Sequence, residues 1–499
     1  VMLMNVMGAD AAREMMDDAD KAAVDVFDLS SLRKAQRVWD GVPIRKRLDV
    51  LRRARFAMSQ MARAFSEAIP WELTRTPADT RVAEGLPLLA ACRFLECNAE
   101  KILRARHLGR RGLPVWLAGL DSEVRRVPHG VVLVLGPSNY PLFLPGVQAL
   151  QAIAAGNAVV WKPGKGGVAV AMLFAEALYG AGLPRELLMV TEDSVEAGEQ
   201  ALRSSVDKVV FTGSAENART VLRECSARLI PCVVEASGCD AVIVLPSADT
   251  GRVVKALAFG MRLNGSATCM APRRVLLVNA SEDRKRSLVG GLVAAFGEVE
   301  STRVADDTRL ILYEFLHEAK LQGAAVVGAV DIEQRPILVT EARPEMRLAR
   351  SDIFAPVLSM IDIGSEMELL AAQEICPFGL TASVFGEERE ARRVAEMLHV
   401  GTVLINDVIV GTADPRVPFG GRRESGFGVT RGREGLLEMT AAKVVSVQRN
   451  KSLRTYEATG KVHAELFDGI IHAMYSQEPG QRWSGVRQAI RSARRLGPK

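Results

Sequence analysis

The sequence predicts an α/β protein made of two successive domains, each built around a mostly parallel sheet. Three observations lead there. From about residue 130 to 250, short apolar runs alternate with helical patterns, the signature of βαβ units. After residue 250 the cycle starts again, which predicts a second α/β domain over about 242 to 430. The chain has 499 residues, enough for two or three domains with ample cores.

The elements follow in order. Residues 45 to 69 and 84 to 103 carry apolar residues at helical spacing and are expected as helices. The stretch from Gly109 to Arg126 holds Gly, Pro and Trp between short β-type runs and is expected as a hairpin. HGVVLVLGPSNYP (129–141) reads as a strand ending in a glycine–proline turn, followed by a helix over 145–155. GNAVVWKPG (156–164) is a second strand, and the next run, to about residue 182, is a helix ending at glycines. VDKVVFTGS (206–214) is a third strand, leading into a helix over 215–227, and CVVEASGCDAVIVL (232–245) adds more strand. In the second cycle, strands are expected at RRVLLVN, PILVTEA, APVLSMIDI, LTASVFG and GTVLIND. Helices are expected at VVKALAFGMRL and around 282–298, 364–374 and 386–398. After residue 450, VHAELFDGIIHAMY and the basic RWSGVRQAIRSARRLGPK read as helices.

Composition narrows the function. Hydrophobic residues at 48% and charged residues at 25% fit a soluble globular protein. A net charge of +5 is small for this length and does not argue for nucleic acid. The basic tail lacks interleaved aromatic residues, so no specific nucleic-acid partner is expected. No run of 18 apolar residues predicts a membrane span, and the opening VMLMNVMGADAAREMM lacks the pattern of a signal peptide. Seven cysteines without a CxxC argue against a disulfide framework and for a reducing, cytoplasmic setting. The six histidines are scattered, so no metal site is expected.

Four stretches carry candidate chemistry. Asn139, in GPSNYP, follows a strand end, where α/β folds place ligand groups, and its amide suits a developing oxyanion. Lys162 and Lys165, in VVWKPGKG, flank a turn after a strand and suit a phosphate or a ribose hydroxyl. Gly213 and Ser214, in FTGSAENA, sit at a strand–helix junction that suits a phosphate or nicotinamide contact, although this is not the GxGxxG fingerprint. Glu235, at the end of an apolar strand, suits a general base. Cys269, in LNGSATCMAPRR, suits a nucleophile, or equally an ordinary buried thiol.

Taken in order, these motifs resemble the aldehyde dehydrogenase superfamily from about residue 45 to 448. GPSNYP matches the family's oxyanion-hole motif through Asn139. GNAVVWKP places Lys162 at the ribose-binding lysine, and FTGS matches the path beside the nicotinamide ribose and pyrophosphate. The family's general-base glutamate falls on Glu235 and its nucleophile on Cys269, with Asn264, Ala271 and Arg274 in pattern. DIFAP places Asp352 at the acidic residue that positions the nicotinamide ribose and Phe354 beside the nicotinamide. PFGGRRESGFG (418–428) matches a late signature.

The resemblance implies a Rossmann-type cofactor domain at 1–112 and 128–241 and a catalytic domain at 242–432. Oligomerisation elements would lie at 113–127 and 441–449, with 450–499 as a C-terminal extension. It implies oxidation of an aldehyde to a carboxylic acid with NAD or NADP, through a Cys269 thioester hydrolysed by water that Glu235 activates. A homodimer or homotetramer is expected. Tyr140, Leu144, Thr268 and Asp407 are expected near the substrate. The alternatives are a CoA-acylating relative, which Glu235 argues against, and a degenerate binding homologue. Departures motivate the latter: Ser266 and Ala267 replace glycine and glutamine before the nucleophile, Ser237 replaces a glycine after Glu235, and Ala218 replaces a helix-opening glycine. Lys165 replaces a ribose-binding glutamate found in many NAD-preferring relatives. A lysine cannot accept those hydrogen bonds but attracts a 2′-phosphate, which favours NADP.

Overall fold

The computed structural model describes residues 27–73, 75–449, 456 and 458–497. The reading of the first sixteen residues falls outside them. The chain divides into two compact units, one of residues 1–104 and 126–442, the other of 105–125 and 443–499.

Among the described residues the first unit contains two large sheets and two small two-stranded ones. In the first, the order is Gly426–Phe427, Cys232–Glu235, Lys208–Thr212, Val131–Leu135, Ala158–Lys162 and Leu188–Val190. All neighbours are parallel except the two-residue edge strand Gly426–Phe427. The five residues of Val131–Leu135 are all buried, because helices cover both faces of a parallel sheet. From this central strand the chain winds first to one side and then to the other. That reversal is the switch point where α/β sheets bind ligands. Register aligns Leu135 with Lys162 and Phe211, and Thr212 with Glu235. The carboxyl ends of these strands therefore bring together GPSN, Lys162, Gly213–Ser214 and Glu235.

The second sheet has the order Ala325–Val327, Ile337–Thr340, Val357–Ile363, Pro272–Val278, Asp240–Val244, Thr381–Phe385 and Thr402–Ile405. Only the edge strand Ala325–Val327 is antiparallel. Here the amino ends of strands matter. Cys269 lies three residues before Pro272–Val278, and Asp352 to Phe354 precede Val357–Ile363. CVVEASGCDAVIVL is thus two strands in two sheets, with Glu235 closing one and Asp240 opening the other.

The expected helices form, with informative differences. The run from 45 to 69 is two helices, Ile44–Gln60 and Ala62–Ala68, broken at Met61. The run from 84 is a π turn, Arg81–Gly85, leading into Leu86–Leu103 with Pro87 in its first turn, where a missing N–H costs little. Glu282–Glu298 agrees with the expectation at both ends, and Ser281 caps it through Arg284 N. Ser30–Asp40, Val195–Arg203 and Asp306–Leu321 were not foreseen.

In the second unit, Arg106–His107 pairs antiparallel with Leu120–Pro128, and Thr440–Gln448 forms the other edge of the three-stranded sheet. The hairpin therefore begins before Gly109, and Val115–Leu117 is a 3-10 turn. Lys461–Tyr475 and Pro479–Arg495 pack as a helical pair. Their crossing requires glycine: a Cβ on Gly469 would stand 2.5 Å from Ala489 N, and one on Gly485 2.5 Å from Ala473 N.

Candidate active site

Cys269 is held by a turn of unusual backbone. Asn264, Gly265 and Ser266 lie consecutively in the left-handed region, with φ of 54°, 56° and 64°. Such a conformation is costly for residues with a side chain. At Gly265 it is free of that cost, and a Cβ there would also stand 2.4 Å from Thr302 Oγ1. Asn264 is clamped: Arg75 Nε donates to its Oδ1 at 2.5 Å, and its Nδ2 donates to Ala267 O at 2.8 Å and Asn139 O at 3.2 Å. Ser266 is clamped by Arg273, whose Nη1 donates to its Oγ and Nη2 to its carbonyl, both at 2.7 Å. The serine that replaces the usual glycine thus occupies a left-handed position with its hydroxyl tied to a buried guanidinium.

The same network fixes Asn139. Its Nδ2 donates to Ala267 O at 2.9 Å, two residues before the cysteine. Arg75 also donates to the Asn139 carbonyl. Arg75 pairs with Glu84 at 2.5 Å, and both side chains are almost wholly buried. Glu84 Oε2 in turn accepts from Leu142 N and Phe143 N at 3.1 and 2.6 Å, where the helix Phe143–Ala155 begins. One carboxylate therefore joins the helix start, the asparagine loop and the cysteine loop.

Glu235 is buried. Burial pushes its carboxyl above the ordinary value, opposed by Arg431 and by Thr430, whose Oγ1 donates to Oε2 at 3.1 Å. Burial also pushes the Cys269 thiol well upward, reinforced by Glu235, Asp240 and Asp352 and opposed by Arg431. Gly238 is needed here, since a Cβ on it would stand 2.5 Å from Cys269 O.

Two cavities meet at Cys269 and Glu235. The larger, of about 530 Å³, is also lined by Asn139, Lys162, Lys165, Gly213, Ser214, Asp352 and Phe354, so all nine sequence-predicted site residues border one space. Its size suits a cofactor-sized ligand. Ser214 caps the helix Ala215–Ala227 by accepting from Asn217 N at 3.2 Å, which leaves that helix start facing the cavity. A Cβ on Gly164 would stand 2.2 Å from Pro137 C, so the Lys162–Lys165 turn can lie this close only without a side chain there. Lys162 is half-buried, which lowers its ammonium pKa against the pull of Asp193. Asp352 is pushed up to about 6 by burial, opposed by Arg273 at 3.2 Å. Arg273 thereby links Asp352 to Ser266. Ala218 is buried in the first core and lies outside the lining.

The smaller cavity, of about 110 Å³, is mostly apolar, with Val82, Phe143, Phe259, Met270 and Ile409 among its walls. Of the expected substrate neighbours, Tyr140 and Leu144 line it. Thr268 stands behind, hydrogen-bonded through Oγ1 to Tyr140 OH at 2.9 Å. Asp407 does not line it. Its carboxylate accepts from Val408 N and Gly411 N at 2.8 and 3.0 Å and so serves the turn. Sequence reasoning missed Arg75, Glu84, Thr430 and Arg431. Thr430 and Arg431 stand two and three residues after the PFGGRRESGFG signature, and that nearness was the available signal.

The family model described as "Aldehyde dehydrogenase family" matches residues 10–445. The chain belongs to the aldehyde dehydrogenase family. It is 26% identical over 495 residues to the 4,4'-diapolycopene aldehyde oxidase of Methylomonas sp, covering 95% of this chain and 92% of that protein. It is 29% identical over 465 residues to a benzaldehyde dehydrogenase of Bacillus subtilis, covering 87% of this chain and 90% of that one. The fold matches that of Mycobacterium tuberculosis aldehyde dehydrogenase complexed with NAD+, with a TM-score of 0.78 and 24% identity over 85% of this chain and 90% of that one.

Replacing Glu84 by leucine leaves Arg75 an uncompensated buried cation and frees two helix-start N–H groups. Breaking such a pair costs about 3–5 kcal/mol. Urea unfolding of Glu84→Leu is expected to show a loss of that order. An unchanged midpoint at unchanged slope contradicts the network.

Proposed function

We propose that this aldehyde dehydrogenase oxidises uncharged, apolar aldehydes to carboxylic acids with Cys269 as nucleophile and Glu235 as general base. One observation carries the reading: Cys269 and Glu235 are shared by a cofactor-sized cavity and a smaller apolar one. An aldehyde entering on the apolar side meets the sulfur with the cofactor side behind it.

The residues take the following roles. Cys269 adds through sulfur to the aldehyde carbon. The carbonyl electron pair moves onto oxygen, where the second N–H of the Asn139 amide and the backbone N–H of Cys269 stabilise it. Bound NAD or NADP would supply the hydride acceptor for that carbon. Lys162, Lys165, Gly213, Ser214, Asp352 and Phe354 would hold the cofactor. Collapse leaves an acyl group on sulfur. Glu235 then takes a proton from water as the water oxygen attacks the acyl carbon, and the carbon–sulfur bond breaks. Glu235 also weighs against a CoA-acylating enzyme, which has no need of a water-activating base. Retention of all nine site residues around one space weighs against a degenerate homologue.

Residues 1–112 and 128–241 form the cofactor-binding domain in this reading, and 242–432 the catalytic domain. The residues at 113–127 and 441–449 form oligomerisation elements, and 450–499 an extension. Thr440–Gln448 is mostly exposed and lies at a sheet edge, a position that invites pairing with a second copy in a homodimer or homotetramer. All seven cysteines are free, which supports a reducing, cytoplasmic compartment. Among the described residues no helix is long and apolar enough to cross a membrane.

With NAD or NADP present, benzaldehyde or hexanal is expected to give reduced nicotinamide, and Cys269→Ser to lose at least a thousandfold in rate. Betaine aldehyde is expected to be a poor substrate, since its cation would enter an apolar chamber that already holds Arg431. Turnover that survives Cys269→Ser contradicts the assignment. Lys165 is exposed and lines the larger cavity, and its ammonium suits a 2′-phosphate. Lys165→Glu is expected to shift the kcat/KM ratio of NADP over NAD toward NAD by about tenfold or more, roughly the worth of one charge-assisted contact. An unmoved ratio contradicts the phosphate contact.

A further inference from the structure

The roles above leave one charged group of the substrate chamber without a task. Arg431 is 3% exposed and lines the smaller cavity with Cys269 and Glu235. Its backbone is left-handed, at φ 62°. Nη1 donates to Thr412 O at 2.6 Å. Nε and Nη2 are buried with no hydrogen-bond partner. The guanidinium lies 4.3 Å from the Phe419 ring centroid and 5.5 Å from that of Phe143. It makes no ion pair within 4 Å among the described residues. Glu235 mirrors it, since Oε2 is taken by Thr430 while Oε1 is buried and unpartnered.

A buried cation is costly unless an anion balances it. The acids that face Arg431 are Glu235 and Cys269. Around Cys269 stand Glu235, Asp240, Asp352, Arg431 and the buried phenol of Tyr140. The other acids are accounted for elsewhere. Asp352 pairs with Arg273. Asp240 accepts hydrogen bonds from Thr381 on both carboxyl oxygens, and burial pushes it up to about 8. The cation of Arg431 is left to the cysteine and the glutamate.

We propose that Arg431 is the fixed counter-charge of Cys269 and Glu235, a positioning residue that keeps one negative charge on these two groups or on the reacting oxygen throughout the reaction. The proposal rests on the assignment of Cys269 as nucleophile and Glu235 as base. In the resting site the two acids together release one proton to solvent. As the acyl group forms on sulfur, the one proton of the pair passes to solvent, so the sulfur carries no charge and Glu235 is the anion. When Glu235 takes a proton from water, the negative charge passes to the oxyanion. It returns to sulfur as the carbon–sulfur bond breaks and the sulfur leaves with its electron pair. The acid product then gives up its proton to solvent, and the one proton left on Glu235 and Cys269 restores the resting site. At each stage a single anion faces a single cation, so the chamber never holds an unbalanced charge.

The test compares wild type, Arg431→Met, Arg431→Gln and Arg431→Lys. Two profiles are followed against pH: iodoacetamide alkylation of the Cys269 peptide, read by mass spectrometry without aldehyde, and kcat. Arg431→Met is expected to lower alkylation at pH 7 by about tenfold, which corresponds to a shift of one pH unit. Its acidic kcat limb is expected to move up by a similar interval. Arg431→Lys is expected to restore most of both. Arg431→Gln keeps two donors without the charge and is expected to behave like methionine; it carries the comparison if Arg431→Met fails to fold. Neutral variants whose profiles coincide with wild type overturn the proposal, and so does Arg431→Lys behaving like glutamine. The alkylation arm needs no turnover. An alkylation shift in a protein that oxidises no aldehyde overturns the enzymatic reading and leaves the counter-charge. Cys269-dependent turnover with unshifted alkylation overturns the counter-charge alone.

Discussion

The clamp on the left-handed turn at residues 264–266 is the constraint on which the site depends. Two of its three residues, Asn264 and Ser266, carry side chains, and each such conformation costs of order 1–3 kcal/mol. Hydrogen bonds to charged groups contribute about 1.5–3 kcal/mol each and are of the right size to offset it. Here they come from two arginines on different parts of the chain, Arg75 on one side and Arg273 on the other. Arg75 ties the turn to Asn139 and Glu84, while Arg273 ties it to Asp352. The cysteine loop is thereby tied to Asn139 and to Asp352 together.

Topology explains why those sides meet. The first sheet offers the carboxyl ends of its strands, with Glu235, Lys162 and the turns at Asn139 and Ser214. The second offers the amino ends of its strands, with Cys269 and Asp352. Glu235 and Asp240 are five residues apart, yet they belong to different sheets. That short crossing, with Gly238 pressed against the Cys269 carbonyl, brings Glu235 and Cys269 to the same cavities. Burial then raises both acids, which makes the sign and position of nearby charge decisive.

Much of this was legible in the sequence. The βαβ alternation and its restart marked both sheets, and the resemblance to the aldehyde dehydrogenase superfamily, carried by the motifs around Asn139, Lys162, Glu235 and Cys269, marked the candidate site. Three kinds of feature escaped. Asp306–Leu321 has a clear helical stripe at Leu312, Phe315, Leu316 and Ala319, but it lies between weak strands and was passed over. Asp407 looked like a pocket residue by neighbourhood, whereas its local backbone donors claim it. Arg75, Glu84 and Arg431 act through long-range contacts, with Arg75 reaching Asn264 across 189 residues, and no local pattern marks such a pair. The replacement of glycine by Ser266 read as a defect because its compensation by Arg273 exists only in three dimensions.

The central claim is that Cys269 carries the acyl group and Glu235 releases it. The most direct measurement is mass spectrometry of Glu235→Gln after incubation with benzaldehyde and NAD or NADP. Without the base, hydrolysis stalls, and the account predicts a benzoyl adduct confined to the Cys269 peptide, with one equivalent of reduced nicotinamide. Full turnover without an adduct, or an adduct on another cysteine, would contradict it.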